Sequence, residues 1–309
     1  MSDLPGYFDL QVNGYGGVDF NSDGLTPDQL HLCCQKLADD GVGGILATII
    51  TAPIPSMCNR LARIRELRDR DPLTQRMIAG FHVEGPFLND TAGYRGAHSQ
   101  ASIRPADTDV ASRLIDASGG LTRLMTLAPE RDAGMKVTRF LAGKGVVVSA
   151  GHTDASLEEL NAAIEAGLSM FTHLGNGCPM LLPRHDNIIQ RALSLSDRLW
   201  LTFIADGAHV AWAALGNYLR AATLDRCIIV TDAISAAALG PGRYRLGEWD
   251  LLIGEDRVAR APDGSHLVGS AGTMPLSRAN LSLHVGLTDA QIDQLTLHNP
   301  LRAIGFART

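Results

Sequence analysis

Eight short apolar runs, each followed by a polar loop and then by helical spacing, recur along the 309-residue chain. The runs occupy residues 7–12, 43–50, 77–84, 122–129, 145–152, 168–174, 199–206 and 226–232. Continuous apolar runs of this length, rich in Val and Ile, are typical of strands that are covered on both faces. Strand–helix alternation repeated eight times predicts a closed (β/α)8 barrel, an α/β fold of the TIM-barrel type.

The segments between the runs carry helix start and stop signals. Thr26 and Pro27 precede the pattern DQLHLCCQKLADD, and Gly41 follows it. A threonine cap and a proline in the first turn are typical of the start of a helix, and a glycine is typical of the residue after its end. Residues 153–167, TDASLEELNAAIEAG, show the same arrangement. An open doubly wound sheet is the alternative fold, but no Gly-x-Gly-x-x-Gly motif follows the first run, which disfavours it.

The regular alternation of predicted strands and helices changes after residue 232. Residues 241–262 contain short alternating runs broken by Gly-Glu, Gly-Glu-Asp and Asp-Gly near or within them, and this pattern predicts a small β-hairpin or three-stranded excursion. Two further helices are predicted at 273–286 and 289–297. We therefore interpret residues 1–309 as a single barrel domain that carries a small C-terminal β excursion.

Composition excludes several classes of function. The net charge is −6 and the sequence contains no Lys/Arg cluster, so a nucleic-acid partner is not expected. No apolar run is long enough to span a bilayer, and the N-terminus lacks the features of a signal peptide, so no membrane partner is expected either. Five cysteines without Cys-x-x-Cys spacing indicate free thiols and predict a cytoplasmic protein.

Polar side chains gather at the predicted strand ends, which is where barrels of this type carry their reactive groups. They are Gln11, Asn13, Glu84, His152, His173, Asp206, His209 and Asp232. A buried carboxylate such as Glu84 must be paired, metal-bound or catalytic. With His152 and His173 it forms a His2Glu set, which suits a catalytic Zn²⁺. The alternatives are core histidines bonded to backbone and a salt bridge of Glu84 within the barrel mouth.

The remaining candidates have more general alternatives. A water on a metal needs a nearby base, and Asp232 at the end of the eighth run is predicted to be that base, the alternative being a helix cap. His98 and His209 lie in loops, where contact with substrate and simple solvation are both consistent with the sequence. Arg184 lies in a loop otherwise short of charge and suits phosphate or carboxylate binding, although a plain surface arginine is the alternative.

Eight motifs occur in an order that is similar to one family. They are DLQVNGYGGVDFN, GFHVEGPFLN, GAH, VSAGHTDAS, THLGN, ADGAHV, VTDA and LVGSAGTM. Over nearly its whole length, the chain resembles the N-acetylglucosamine-6-phosphate deacetylases of the amidohydrolase superfamily. The resemblance implies a metal-dependent barrel hydrolase that removes acetate from an N-acetylated amino sugar phosphate. It also implies one divalent ion, with Zn²⁺ expected and Fe²⁺, Co²⁺ or Mn²⁺ as alternatives.

The resemblance assigns roles to particular residues. Glu84, His152 and His173 would hold the metal. Asp232 would take a proton from the metal-bound water, so that the resulting hydroxide attacks the amide, and would then protonate the departing amine, while His98 would polarise the acetyl carbonyl. The expected contacts to the sugar and its phosphate are His209, Asn176, Gly177 and Arg184.

The chain departs from the family pattern in three places. Gln11-Val12-Asn13 stands where many superfamily members carry His-x-His for a second metal, and amides are poor Zn²⁺ ligands, so one metal is predicted. The first strand begins almost at once, so we expect the N-terminal part of the family's β-sandwich to be missing and residues 241–262 to be its remnant. The incomplete sandwich leaves a homodimer open, since dimerisation in the family can involve a neighbouring subunit. The loop GNGCPMLLPRHDN keeps Arg184 but otherwise differs, which leaves the exact sugar and the need for a 6-phosphate open.

Two other functions remain as alternatives. One is an amidohydrolase that acts on an unphosphorylated N-acyl sugar or on another amide. The other is a non-catalytic protein that binds a sugar phosphate. The intact set of Glu84, His152, His173 and Asp232 argues against the latter, since loss of activity usually removes ligands first.

Overall fold

The computed structural model describes residues 6–306 except 247, 248, 265, 266 and 268. A sheet of eight parallel strands follows the order of the chain, each strand hydrogen-bonded to the next. The strands are β1 (Tyr7–Val12), β2 (Val42–Ile50), β3 (Ile78–Glu84), β4 (Thr122–Leu127), β5 (Val147–Ala150), β6 (Leu168–Phe171), β7 (Trp200–Ile204) and β8 (Cys227–Val230). A parallel bridge between Val12 and Ala233 joins the first strand to the segment after the last. The predicted (β/α)8 barrel is confirmed.

Helices follow the strands and cover the outside of the sheet. They are α1 (Pro27–Asp39), α2 (Ile54–Arg70), α3 (Pro72–Met77), α4 (Thr108–Ala117), α5 (Lys136–Gly143), α6 (Leu157–Glu165), α7 (Ile188–Ser194), α8 (Trp212–Ala222), α9 (Met274–Asn280), α10 (Asp289–Asp293) and α11 (Asn299–Ala303). Two π-helical segments, Leu281–Val285 and Gln294–His298, continue α9 and α10. Among the described residues, no helix combines the length and the apolar character that crossing a membrane requires.

Local sequence explains where the helices begin. Thr26 and Gln29 form a reciprocal capping box at the start of α1, and Ser156 and Glu159 form another at the start of α6. Each box satisfies two backbone N–H groups that a helix start would otherwise leave unpaired. Gly41 follows α1 with a φ of 75°, which a glycine adopts without steric cost.

Two apolar layers hold the barrel together. The larger one lies between the strands and the surrounding helices. The smaller one gathers side chains from six strands around the barrel and from Ile304, and such residues can meet only inside it. Its members are Phe8, Leu10, Leu46, Leu124, Met170, Trp200, Ile204, Ile228, Val230 and Ile304. Phe306 packs edge-to-face on Phe8 with ring centroids 6.1 Å apart and closes this interior near the start of β1.

A small antiparallel sheet follows β8. Its strands are β9 (Gly242–Leu246), β10 (Trp249–Ile253) and β11 (Ala259–Arg260). Leu251, Ile253 and Ala259 pack with Ile234 and Ala271 in a separate apolar cluster. The sheet lies within the range 241–262 that the sequence predicted for a β excursion. That this sheet is the remnant of a sandwich domain stays a prediction.

Candidate metal centre

Three of the four strands that lead to the predicted metal ligands and to Asp232 end earlier than the sequence predicted. Glu84 is the last residue of β3, but β5, β6 and β8 end two residues before His152, His173 and Asp232. These three residues have φ values of 51°, 34° and 51°, and positive φ cannot continue a strand. The predicted runs 145–152, 168–174 and 226–232 were therefore too long at their ends.

Hydrogen bonds hold this unusual backbone in place. A non-glycine residue at positive φ costs about 1–3 kcal/mol and persists only where its surroundings impose it. The His173 N–H donates to Thr202 Oγ1 at 2.7 Å, and the Asn89 N–H donates to the His152 carbonyl at 3.0 Å. Each bond fixes a histidine at the point where its strand has ended, so the framework directs the two rings.

Glu84, His152 and His173 meet at a single point. Glu84 Oε1 lies 3.2 Å from His152 Nε2 and 3.0 Å from His173 Nε2, and the two ring nitrogens are 3.1 Å apart. A ring nitrogen carries at most one hydrogen, which cannot point at two neighbours, so three contacts of this length cannot all be hydrogen bonds. One cation between the three atoms would satisfy all of them, and this is the donor set of a His2Glu metal site.

His98 reaches the same point from the long loop after β3. Its Nε2 lies 3.3 Å from His152 Nε2. Glu84, His98 and His152 form a potential metal-binding triad, with one ligand atom of each within 4.8 Å of the others. His173 and His98 thus compete for the third position, and we keep His173 as the predicted ligand because it contacts Glu84 directly. The four residues Glu84, His98, His152 and His173 are called the metal cluster below.

Protonation differs across the cluster. Burial alone would raise the pKa of Glu84, but its contacts with His152 and His173 hold that pKa well below its usual value. Burial alone would lower the pKa of His173, but its contact with Glu84 raises that pKa, whereas burial lowers the pKa of His98 to about 3. An ionised carboxylate and a neutral imidazole are the forms that bind a metal, so a cation would replace the proton that Glu84 stabilises on His173.

Neighbouring groups orient the rings of the cluster. His152 Nδ1 lies 2.8 Å from the Tyr94 carbonyl, so this nitrogen carries the hydrogen and Nε2 is left with its lone pair. His98 Nδ1 and His173 Nδ1 are buried without a partner among the described residues. His152 is therefore oriented to bind a divalent metal through its Nε2, and the other residues of the cluster lie around the same point.

Asp232 lies beside the cluster but accepts from another residue. Its Oδ1 accepts a hydrogen bond of 2.7 Å from Asn13 Nδ2. Burial, followed by the charge of Glu84, raises the pKa of Asp232 to about 6. A carboxyl with a pKa near the working pH can both accept and return a proton.

His209 is held by an acidic partner, Asp206, which was predicted only to lie at a strand end. His209 Nδ1 lies 2.6 Å from Asp206 Oδ2, and Asp206 Oδ1 accepts the backbone N–H groups of Ala208 and His209. Burial alone would raise the pKa of Asp206, but its hydrogen bond with His209 lowers that pKa. The imidazole is thereby fixed with Nε2 as its remaining polar atom.

The loop 174–187 carries the other predicted substrate contacts. Asn176 lies against the cluster, because its backbone N–H donates to the His173 carbonyl at 3.0 Å. Gly177 has a φ of 60°, and a Cβ at this position would come within 3.0 Å of His152 Nδ1. Arg184, in contrast, is exposed and makes no ion pair or hydrogen bond with another described residue.

Comparison with known proteins decides the family. The chain is 33% identical over 303 residues to the N-acetylgalactosamine-6-phosphate deacetylase of Escherichia coli O157:H7, covering 97% of this chain and 78% of the relative. It is 31% identical to the human N-acetylglucosamine-6-phosphate deacetylase, covering 99% of this chain and 75% of the relative. The chain belongs to the N-acetylglucosamine-6-phosphate deacetylase family. A scan against models of protein families found no match.

Solved structures of this family have the same fold. An aspartate-to-alanine mutant of the Mycobacterium smegmatis N-acetyl-D-glucosamine-6-phosphate deacetylase, in complex with N-acetyl-D-glucosamine-6-phosphate, matches with a TM-score of 0.86 at 30% identity. The match covers 97% of this chain and 77% of that one. The Thermotoga maritima enzyme matches with a TM-score of 0.84 at 27% identity, over 97% and 78% of the two chains. The predicted family and the predicted class, a hydrolase of an amide bond, are confirmed.

For this deacetylase-family chain, sequence reasoning missed one set of contacts. Gln11 and Asn13 were noted only as replacements for metal ligands, yet Gln11 Nε2 donates to Glu84 Oε1 at 3.2 Å and Asn13 donates to Asp232. The alternation Asp9, Gln11, Asn13 along β1 and into the residue after it is the signal that could have revealed them, because alternate residues share one face of a strand.

Proposed function

We propose that the chain removes the acetyl group from an N-acetylhexosamine 6-phosphate, with N-acetylglucosamine 6-phosphate as the principal substrate. The observation that carries this proposal is the convergence of Glu84, His152 and His173 within 3.0–3.2 Å, with Asp232 as a separate carboxylate at the same rim. The named substrates of the relatives support the sugar phosphate. The relative that acts on the galactosamine compound makes that sugar the second candidate.

We assign Glu84, His152 and His173 as the ligands of one divalent cation, with Zn²⁺ as the expected ion. Such a cation supplies Lewis acidity and makes a nearby water easier to deprotonate at neutral pH. Gln11 and Asn13 offer amides where a second metal would need stronger ligands. The site therefore needs a single ion.

Two side chains of the protein act on the substrate: Asp232 transfers the proton, and His98 donates a hydrogen bond to the acetyl carbonyl. Asp232 Oδ1 is engaged by Asn13, so Oδ2 takes the proton of the attacking water and later delivers it to the amide nitrogen. The carbon–oxygen bond to water forms, the carbon–nitrogen bond breaks, and acetate and a free amine result. His98, neutral because burial lowers its pKa, donates a hydrogen bond to the carbonyl oxygen as negative charge develops there.

The rest of the substrate is assigned to the rim. His209, oriented by Asp206, and the backbone at Asn176 and Gly177 would contact the sugar. Arg184 would close on the phosphate, for which a planar guanidinium is well suited. We also propose a cytoplasmic location and a sandwich origin for β9–β11. We further propose a homodimer, which sedimentation analysis of the purified protein would test.

A screen for acetate release tests the function. The protein, loaded with a defined amount of Zn²⁺, is given N-acetylglucosamine and N-acetylgalactosamine, each with and without a 6-phosphate. Acetate should be released from the phosphorylated sugars, and Glu84→Gln should lose both bound Zn²⁺ and activity. Equal turnover of the unphosphorylated sugars would favour the broader amidohydrolase instead, and no turnover of any sugar would reject the proposal.

A further inference from the structure

The two carboxylates of the site each accept a hydrogen bond from an amide, one from Gln11 in β1 and the other from Asn13, the residue directly after β1. Gln11 Nε2 donates to Glu84 Oε1 at 3.2 Å, and Asn13 Nδ2 donates to Asp232 Oδ1 at 2.7 Å. Both amides are enclosed, with only 1% of Gln11 and 8% of Asn13 exposed. In a buried site a hydrogen bond to a charged acceptor is both stronger and more directional than the same bond in water.

Strand β1 itself is fastened on both sides, so it can act as a fixed support. The Asn13 N–H donates to the Ala233 carbonyl at 2.7 Å, across the seam where the barrel closes. On the other side, the Val12 N–H donates to Thr48 Oγ1 at 3.0 Å. The end of β1 is thus tied both to Ala233, the residue after Asp232, and to Thr48 on β2, the strand that pairs with the Glu84 strand β3.

The carboxylate of Asp9 secures the backbone on either side of this seam. It accepts the Gln11 N–H at 3.1 Å and the Thr231 N–H at 3.3 Å. The Thr231 hydroxyl in turn accepts the Ala233 N–H at 3.1 Å. The residues flanking Asp232 therefore have little freedom, and the remaining freedom of its side chain is limited by Asn13.

The orientation of the Asn13 amide follows from its neighbour. An amide oxygen facing an ionised Asp232 at 2.7 Å would be repelled, so the nitrogen must face it. Asn13 Oδ1 is buried and accepts from no other described group, so no second hydrogen bond sets this orientation. Asn13 thus engages one oxygen of Asp232 and leaves the other for the reaction.

We propose that Gln11 and Asn13 are positioning residues with separate tasks: Gln11 orients Glu84 for metal binding, and Asn13 orients Asp232 for proton transfer. This inference rests on the proposed function for its catalytic half. Two neutral donors, one in β1 and one directly after it, each hold one carboxylate without adding a second cation. The division of labour between the two amides can be measured directly.

The test compares Gln11→Met with Asn13→Ala. Zn²⁺ affinity is measured by competition with a chelator, and kcat and KM are measured at saturating Zn²⁺ with N-acetylglucosamine 6-phosphate. Residues that orient a ligand or a reactive group typically change affinity or activity by about 10–100-fold. Gln11→Met should lower Zn²⁺ affinity by this factor and kcat by less, whereas Asn13→Ala should lower kcat by this factor with unchanged KM and Zn²⁺ affinity.

Matched controls separate positioning from folding. Gln35→Met and Asn217→Ala change exposed residues of the same types on α1 and α8 and should alter none of the three quantities. Circular dichroism and melting temperature report whether each variant folds. Asn13→Ser, which keeps a shorter donor, should recover part of the lost kcat.

Two results would overturn the inference. One is an Asn13→Ala variant whose Zn²⁺ affinity falls as much as its kcat, and the other is a folded Gln11→Met variant with parental affinity. If the parent releases no acetate, the proposed function fails and the Asn13 half falls with it. The Zn²⁺ affinity of Gln11→Met would still decide the Gln11 half.

Discussion

The metal cluster and the loop 174–187 supply the same site in different ways. The residues of the cluster are buried and lie within about hydrogen-bond distance of their neighbours, with contacts of 3.0–3.3 Å. The far part of the loop is open, with Met180 99% exposed and Leu181 92% exposed, and Arg184 beyond them has no described partner. One region is set by the framework before any ligand arrives, and the other offers groups that only a ligand would engage.

The difference shows which parts of a barrel site depend on the fold. Three of the four cluster residues lie at strand ends, where parallel strands bring them to the same rim. The loop has no such constraint, and its position is secured mainly near its ends, by Asn176 and by Asn187, which caps α7. We therefore expect changes in the cluster to affect metal binding or turnover and changes in the loop to affect selection of the substrate.

The largest effect is expected for Asp232→Asn. Loss of a general base typically lowers the rate by about 10²–10⁴-fold. Bound Zn²⁺ should be unchanged, because Asp232 lies outside the cluster. The variant would therefore separate metal binding, which the cluster provides, from turnover, which also needs Asp232. The measurements are acetate release and metal analysis, with Asp225→Asn, an exposed aspartate before β8, as the control. Normal turnover by Asp232→Asn would refute the proton role.

The second prediction concerns the two histidines that compete for the metal. Changes to residues that only orient metal ligands typically lower metal affinity by about 10–100-fold. His173→Ala should lower Zn²⁺ affinity by more than this, because His173 is the predicted ligand itself. His98→Ala should keep Zn²⁺ but lower kcat by about 10²–10³-fold, as expected for a residue that stabilises the developing oxyanion. Chelator competition measures the first effect and steady-state kinetics the second. The opposite pattern would make His98 the ligand and His173 its neighbour.

The third prediction tests the loop. Arg184→Ala should raise KM for the phosphorylated sugar by about 10–100-fold, since a hydrogen bond to a charged group contributes about 1.5–3 kcal/mol. The unphosphorylated sugar should be unaffected. Arg139→Ala on α5 provides an exposed arginine as the matched control. Equal losses on both sugars would place phosphate recognition elsewhere and remove the loop from the comparison.

The smallest effect on activity is expected below the cluster, at Asp9, where the prediction concerns stability instead of turnover. Burial raises the pKa of Asp9 to about 7 in the folded chain, whereas the unfolded chain releases this proton at about pH 4. The parent should therefore lose unfolding free energy between about pH 4 and 7, by up to about 1.4 kcal/mol per pH unit, and no further above that range.

Asp9→Asn removes this titration. The difference in unfolding free energy between Asp9→Asn and the parent should shift in favour of the variant as pH rises from about 4 to 7. Urea denaturation at several pH values measures the slope. Parallel pH profiles for the two proteins would show that Asp9 has the same pKa in the folded and unfolded chains, and this result would contradict the prediction.

The barrel and the convergence of its ligands could be predicted from the sequence. Continuous apolar runs identify strands buried on both faces, and parallel strands must bring Glu84, His152 and His173 to one rim. The ends of the strands could not be placed, because Thr172 and Thr231 are common strand residues and extend the pattern while the backbone turns to positive φ at His173 and Asp232. Local composition carries no signal for that turn.

Other features depend on contacts between distant parts of the chain. The bond from Asn13 to Asp232 joins residues that are 219 positions apart and exists only because the barrel closes. The distance from His98 to His152 depends on the path of a long loop, which has no periodic pattern. Motif resemblance could therefore name His98, but only the folded chain places it 3.3 Å from His152.

Positive φ at His152, His173 and Asp232 also has a consequence for the stability of the fold. Glycine adopts this backbone more easily than histidine or aspartate does, so the barrel carries these residues against its own conformational preference. The side chains that the proposed reaction needs are therefore also ones that cost the fold some stability, the exchange between activity and robustness that functional sites commonly make.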